Sequence, residues 1–184
     1  MNGALRIAIV GAESTGKTTL AAALAAHLAL TTQQRVDWVP EVLREWCDRA
    51  GRTPHAHEQA AIMQAQHDRI EAAAATHDIV VCDTTALMTA VYSQLVFGDR
   101  SLDTRAADLH RGMALTLLTA LDVPWVADGL QRDGPQVRRP VDRALRELMA
   151  AQGLAWNLVS GEGQARLQSA AAAAAAVAAI ALPK

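Results

Sequence analysis

A chain of 184 residues with a formal charge of −2 suits one domain with one core, and it lacks the basic field that a nucleic-acid partner requires. Its apolar half is mostly Ala, Leu and Val; the two cysteines, Cys47 and Cys82, suit neither a disulfide framework nor a metal motif. No signal peptide precedes the first apolar stretch, and the Ala-rich run 170–182 is too weakly apolar and wrongly flanked for a membrane span, so a cytoplasmic protein is expected.

In chain order, Leu5 to Val10 reads as a short buried strand. It runs into Gly11-Ala12-Glu13-Ser14-Thr15-Gly16-Lys17-Thr18, followed by Thr19 and Leu20, which fits G-x-x-x-x-G-K-[ST] in full. Leu20 to Leu30 is a run of strong helix formers. Strand, glycine loop and helix together give the motif its context.

Arg35 to Val39 reads as a second strand stopped by Pro40, with a helix over Glu41 to Cys47. Gly51 to Pro54 breaks the pattern before a long helix from His55 to Thr76. His77 to Cys82 is a third strand, closed by Asp83-Thr84-Thr85, and Leu87 to Phe97 is helical with Gly98-Asp99 as its stop. A helix from Ser101 through Leu118 is expected next, then a fourth strand over Asp122 to Ala127. Asp128 to Pro140 reads as a polar loop, Val141 to Gln152 as a helix, Leu154 to Val159 as a fifth strand, and Gln164 to Leu182 as a closing helix.

This alternation predicts an α/β P-loop fold with a five-stranded parallel sheet and helices on both faces, formed by residues 1–184 as a single domain. Ligands on such sheets bind beyond the carboxyl ends of the strands. The residues expected there are Gly11, Glu41, Asp83, Asp128 and Gly161.

The glycine loop brings main-chain N–H groups onto one centre at a helix N-terminus, where the dipole favours an anion. Lys17 can reach the β- and γ-phosphates of a nucleotide such as ATP, and the Thr18 hydroxyl can ligate Mg²⁺. Asp83, a carboxylate at the end of an apolar strand, needs a partner; Mg²⁺ or the N-cap of the next helix would supply one. Glu41, Arg44 and Glu45 share one helix face and can offer a general base beside a steering charge. The arginines of the 128–140 loop, Arg132 foremost, could close as a lid over the transferring phosphate. Tyr92 or Trp46 could stack on an aromatic acceptor, whereas Trp38, Trp125 and Trp156 read as core. His55 and His57, two apart, would point different ways on a helix and make a poor metal pair.

The loop, with its glutamate, resembles the Gly-x-Glu-Ser-x-Gly-Lys-[ST] form of the nicotinamide riboside kinase domain in NadR-type bifunctional proteins. Pro40-Glu41-x-x-Arg44-Glu45 resembles that family's Glu-x-x-Arg-Glu, and Asp83-Thr84-Thr85 its motif after the third strand. Tyr92 to Gly98 and Pro124 to Leu130 are similar to later segments of the same family. The resemblance implies an ATP- and Mg²⁺-dependent kinase acting on the ribose 5′-hydroxyl of nicotinamide riboside in NAD biosynthesis. By position it assigns Glu41 as base or ribose contact, Asp83 as Mg²⁺ or hydroxyl partner, Arg132 as a lid residue, and Arg44, Glu45, Tyr92 and Asp128 to the substrate side. Pro40 replaces the family's aromatic residue, so Trp38, Trp46 or Tyr92 would stack on the nicotinamide ring instead.

Glu41 and Asp83 both remain candidates for the general base, with Glu41 favoured. Another P-loop kinase for a small nucleoside, nucleotide or alcohol would use the same machinery. A GTPase switch would need [NT]-K-x-D, which the chain lacks, and an AAA-type motor would want a lid domain and assembly arginines that 184 residues barely accommodate.

Overall fold

The computed structural model describes residues 3–127 and 134–181. Five parallel strands form one sheet in the order β2-β3-β1-β4-β5: β1 is Leu5–Val10, β2 Val36–Val39, β3 Ile79–Asp83, β4 Leu115–Thr119 and β5 Asn157–Val159. The helices are α1 (Lys17–Thr32), α2 (Val42–Ala50), α3 (Ala56–Ala74), α4 (Ala86–Phe97), α5 (Asp103–His110), α6 (Arg138–Ala151) and α7 (Gly163–Ala181).

Both faces of the sheet are covered, and the pleat of β1 shows how. Leu5, Ile7 and Ile9 pack with Leu20, Leu24 and Leu28 of α1 and Ala170, Ala174 and Ala178 of α7. Val10, on the opposite face, packs with Leu87 and Val91 of α4 and Leu145 and Leu148 of α6. Small alanines on α7 let that helix lie close to α1, which explains the Ala-rich tail without a membrane. No helix among the described residues is long and apolar enough to cross one.

One strand falls elsewhere than expected. The fourth strand is Leu115–Thr119, inside the stretch that reads as helix, and Asp122 to Ala127 is irregular. All five residues of β4, Leu-Thr-Leu-Leu-Thr, are buried, so both of its faces are covered as in an interior parallel strand, and the threonines do not mark a solvent face. Gly112 ends the α5 turn, Ala114 N then donates to Arg6 O at 2.9 Å, and β4 zips along β1. Pro124 has no N–H to give a ladder, which disfavours the segment expected as a strand. The strand therefore ends at Thr119, and Asp128 is not its terminal residue.

Strand order also positions the carboxylates. With β3 beside β1, Asp83 lies level with Ile9, just before the glycine loop.

Candidate active site

The loop between β1 and α1 is built around left-handed backbone. Gly11 has φ 149°, Ser14 φ 53° and Gly16 φ 76°. At Gly11 the need for glycine is also steric, because a Cβ there would lie 2.1 Å from Thr119 Oγ1. The Thr15 hydroxyl donates to Ala12 O at 2.8 Å and meets the Thr119 hydroxyl at 2.7 Å, so the end of β4 braces the loop from below. Gly16 caps α1 without a side-chain bond, so the N-cap residue itself leaves the first N–H groups of the helix to an anion. Lys17 is buried to 8% exposure, and its ammonium donates to Ala12 O at 2.9 Å.

A cavity of about 670 Å³ opens over this loop. It is lined by residues 14–20 of the loop and α1, by Arg44, by Val123, Pro124 and Val126, and by Glu162 to Gln164. Ser14 Oγ accepts from Val126 N at 2.8 Å and ties that segment to the loop.

At the end of β3, the Thr18 hydroxyl donates to Asp83 Oδ2 at 2.5 Å. Asp83 is 1% exposed, and its Oδ1 is buried with no hydrogen-bond partner. Burial raises its pKa, against the Thr18 bond and the Lys17 and Arg44 charges that lower it. A hydroxyl beside a carboxylate with an orphaned oxygen is the all-oxygen donor set that a hard cation takes, so Thr18 and Asp83 fit Mg²⁺. Thr84, next in the chain, has φ 71°, a strained conformation for a β-branched residue, and its N–H donates to Ile9 O at 3.0 Å.

Glu41 follows β2 and occupies the N-cap position of α2 with extended backbone and no side-chain cap bond, so its carboxylate is available elsewhere. Gln66 of α3 frames it: Oε1 accepts from Val42 N at 2.8 Å and Nε2 donates to Pro40 O at 3.4 Å. The Glu41 side chain is 7% exposed, and its Oε2 lies 3.7 Å from Arg44 Nε. Burial chiefly raises its pKa; Lys17 and Arg44 pull it down, while Asp83 and Glu13 push it up. The Tyr92 phenol shares this space. Burial first, then the Glu13 and Glu41 carboxylates and a hydrogen bond to Glu13, raise its pKa well above the ordinary value.

The structure thus brings Lys17, Thr18, Asp83, Glu41, Arg44, Glu13 and Tyr92 into one electrostatic group. Thr19 lines the cavity from the first turn of α1. Glu45 does not join them: it is paired with Arg69 of α3 at 2.8 Å. Arg132 and Asp128 lie outside the described residues. Arg138 and Arg139, read as loop arginines, belong to α6, where Arg138 is buried and donates to Val123 O at 2.9 Å. Trp46 carries the Arg52 guanidinium over its ring at 4.8 Å, and Trp38 packs against the α1–α7 core, so of the three aromatic candidates Tyr92 lies with the carboxylates. His55 is the N-cap of α3 instead of a helix residue, and its ring stacks on His57.

Sequence reasoning missed Thr119, Gln66 and Arg166. Arg166 of α7 is 4% exposed, lines the cavity and donates to Thr15 O in the loop.

A doubly covered parallel sheet with this loop between β1 and α1 defines a P-loop nucleotide-binding protein of the kinase-like kind. A family described as an AAA domain matches residues 6–166, and the chain belongs to that family. Its fold is similar to a NadR protein solved in complex with NR, at TM-score 0.77 and 21% identity over 98% of this chain and 52% of that one. A NadR structure with NAD and AMP-PNP gives TM-score 0.74 at 20% identity, over 98% and 51%. The thymidylate kinase of Ehrlichia chaffeensis gives TM-score 0.62 at 17% identity, over 88% and 89%. The chain spans about half the length of those NadR structures. No curated protein matches it at a significant level.

Proposed function

We propose that this chain acts as a single kinase domain that transfers the terminal phosphate of ATP to the 5′-hydroxyl of nicotinamide riboside, giving the mononucleotide in NAD salvage. We place the activity in the cytoplasm, whose reducing conditions suit its two buried cysteine thiols, Cys47 and Cys82.

The observation that carries the reading is Glu41. A buried carboxylate with a raised pKa stands beside the loop lysine and Asp83, where a base is needed to accept the proton of an attacking alcohol. In this reading Lys17 and the N-terminal amides of α1 hold the polyphosphate, and Arg44, which borders the cavity and pairs with Glu41, steers the reacting groups together. Bound at Thr18 and Asp83, Mg²⁺ would neutralise charge on the phosphates. Tyr92 offers a ring for the acceptor base, and Arg132 is assigned to a lid.

The charge around the acceptor supports a nucleoside over a nucleotide. Glu13, Glu41 and Asp83 outnumber Lys17 and Arg44 among the described groups there, and Lys17 is assigned to the polyphosphate, an arrangement that disfavours a phosphorylated acceptor and favours a neutral or cationic one. The NadR complexed with NR supports the same choice. The likeness to a thymidylate kinase along nearly the full length of both chains keeps another nucleoside or nucleotide as the second reading.

Purified protein incubated with ATP, Mg²⁺ and a panel of nucleosides, with ADP and product mass followed, tests it. Phosphorylated riboside is the expected product. Turnover of a different nucleoside alone would replace the substrate and keep the kinase; ADP release without any acceptor would replace both with an ATPase.

A further inference from the structure

Arg166 sits in the first turn of α7, in a helix otherwise built almost entirely from Ala and other small or apolar residues. Burying a guanidinium is costly unless its donors are matched. They are matched here. Nε donates to Gly161 O at 2.6 Å, Nη1 to Thr15 O, and Nη2 to the Asp122 carboxylate, with Ala120 O a further 3.5 Å contact. Asp122 uses its other oxygen to accept from Gly161 N at 2.6 Å.

One planar group therefore joins three segments: the phosphate loop at Thr15, the chain leaving β4 at Asp122, and the turn into α7 at Gly161. Each borders the cavity, which Thr15, Val123, Glu162 and Arg166 itself line. The Thr15 carbonyl and the Gly16 N–H belong to one rigid peptide plane, so holding the oxygen sets the direction of the amide. Gly161 is gripped at both its carbonyl and its N–H, which fixes the turn into α7 as firmly.

We infer that Arg166 is a positioning residue for nucleotide binding, locking the phosphate loop and the turn at Gly161 at a fixed separation before the ligand arrives. The inference rests on the nucleotide reading of this site. Ordering the two loops is then completed in folding and is not charged against binding. Lysine cannot replace the arginine fully, because a point charge lacks the fork that reaches three directions.

The test measures affinity for a fluorescent ATP analogue, with ADP in competition, in the wild type and in Arg166→Met, Arg166→Lys and Asp122→Asn, alongside kcat and both KM values. Arg166→Met is expected to lose roughly 10- to 100-fold in affinity for both nucleotides. Arg166→Lys and Asp122→Asn should lose less, and the acceptor KM at saturating nucleotide should stay within about twofold. Should Arg166→Met lose its cooperative melting transition, Asp122→Asn carries the test, since its side chain is 36% exposed and its amide keeps an acceptor for the arginine. Wild-type nucleotide affinity in folded Asp122→Asn and Arg166→Lys overturns the inference and leaves the nucleotide reading standing. So does an equal rise in nucleotide and acceptor KM. A wild-type protein that binds no nucleotide overturns both.

Discussion

A Cβ on Gly11 would stand 2.1 Å from the Thr119 hydroxyl, inside the contact distance of any unbonded pair. The tip of β4 and the start of the phosphate loop thus occupy space that admits no side chain, and φ 149° adds a second demand for glycine. Gly11→Ala should cost about 3 kcal/mol or more, read as a lowered urea midpoint. Adding Thr119→Ala removes the hydroxyl but not the backbone strain, so the double variant should recover only part of the loss. Full recovery would show that φ at Gly11 carries no cost.

Lys17→Ala should reduce kcat/KM by about 10²-fold or more, since the ammonium is placed to stabilise charge on the transferring phosphate. Its effect on the melting temperature should be smaller than that of Gly11→Ala. Steady-state kinetics on the two variants separate the roles. Undiminished turnover would remove the proposed site.

Glu41→Gln keeps the shape of the side chain and deletes the base, and kcat should fall by about 10²- to 10⁴-fold with nucleotide affinity nearly unchanged. Because burial, reinforced by Asp83 and Glu13 against the pull of Lys17 and Arg44, raises the Glu41 pKa, the acid limb of the wild-type kcat/KM profile should lie above the ordinary value of 4.5. Activity should be present when Glu41 is ionised and lost as pH falls through that raised value. In Glu41→Gln that limb should vanish; its survival would pass the role of base to Asp83.

His110 is 2% exposed, with Nδ1 2.9 Å from the Thr85 hydroxyl and Nε2 2.8 Å from the Thr116 hydroxyl. Burial lowers its pKa from 6.5 to about 4. Between those values the unfolded chain binds a proton that the native chain refuses, so stability is full above about 6.5 and declines as pH falls toward 4, by about 3 kcal/mol in all. The carboxylates of Glu58 and Asp78, each lowered to about 2 by arginine partners, lose their contribution in a more acidic window. Urea unfolding at pH 7 and pH 5 should therefore show a steeper loss in the wild type than in His110→Gln. Parallel losses would refute the assignment.

Much of this arrangement was legible from local pattern. The loop motif, the strand before it and the carboxylates at 41 and 83 announce themselves because strand ends and glycine spacing are written in consecutive residues. The strand Leu115–Thr119 escaped notice because it is only five residues long with threonines among its leucines, and a Leu-rich sequence directly after α5 is equally compatible with a continuing helix. Glu45 shares a helix with Arg44, yet the pairing with Arg69 comes from α3 packing, which no spacing within α2 reveals. Arg166 reaches a carbonyl 151 residues away, and its one local signal is a cation alone in an Ala-rich helix.

The bond from Lys17 to Ala12 O has a thermodynamic corollary. A resting chain whose ammonium already has a partner does not gain a contact when polyphosphate enters; it exchanges one acceptor for another. Capture by that side chain is then a substitution, with a modest heat of its own, and the preference for the filled state comes from charge opposing charge.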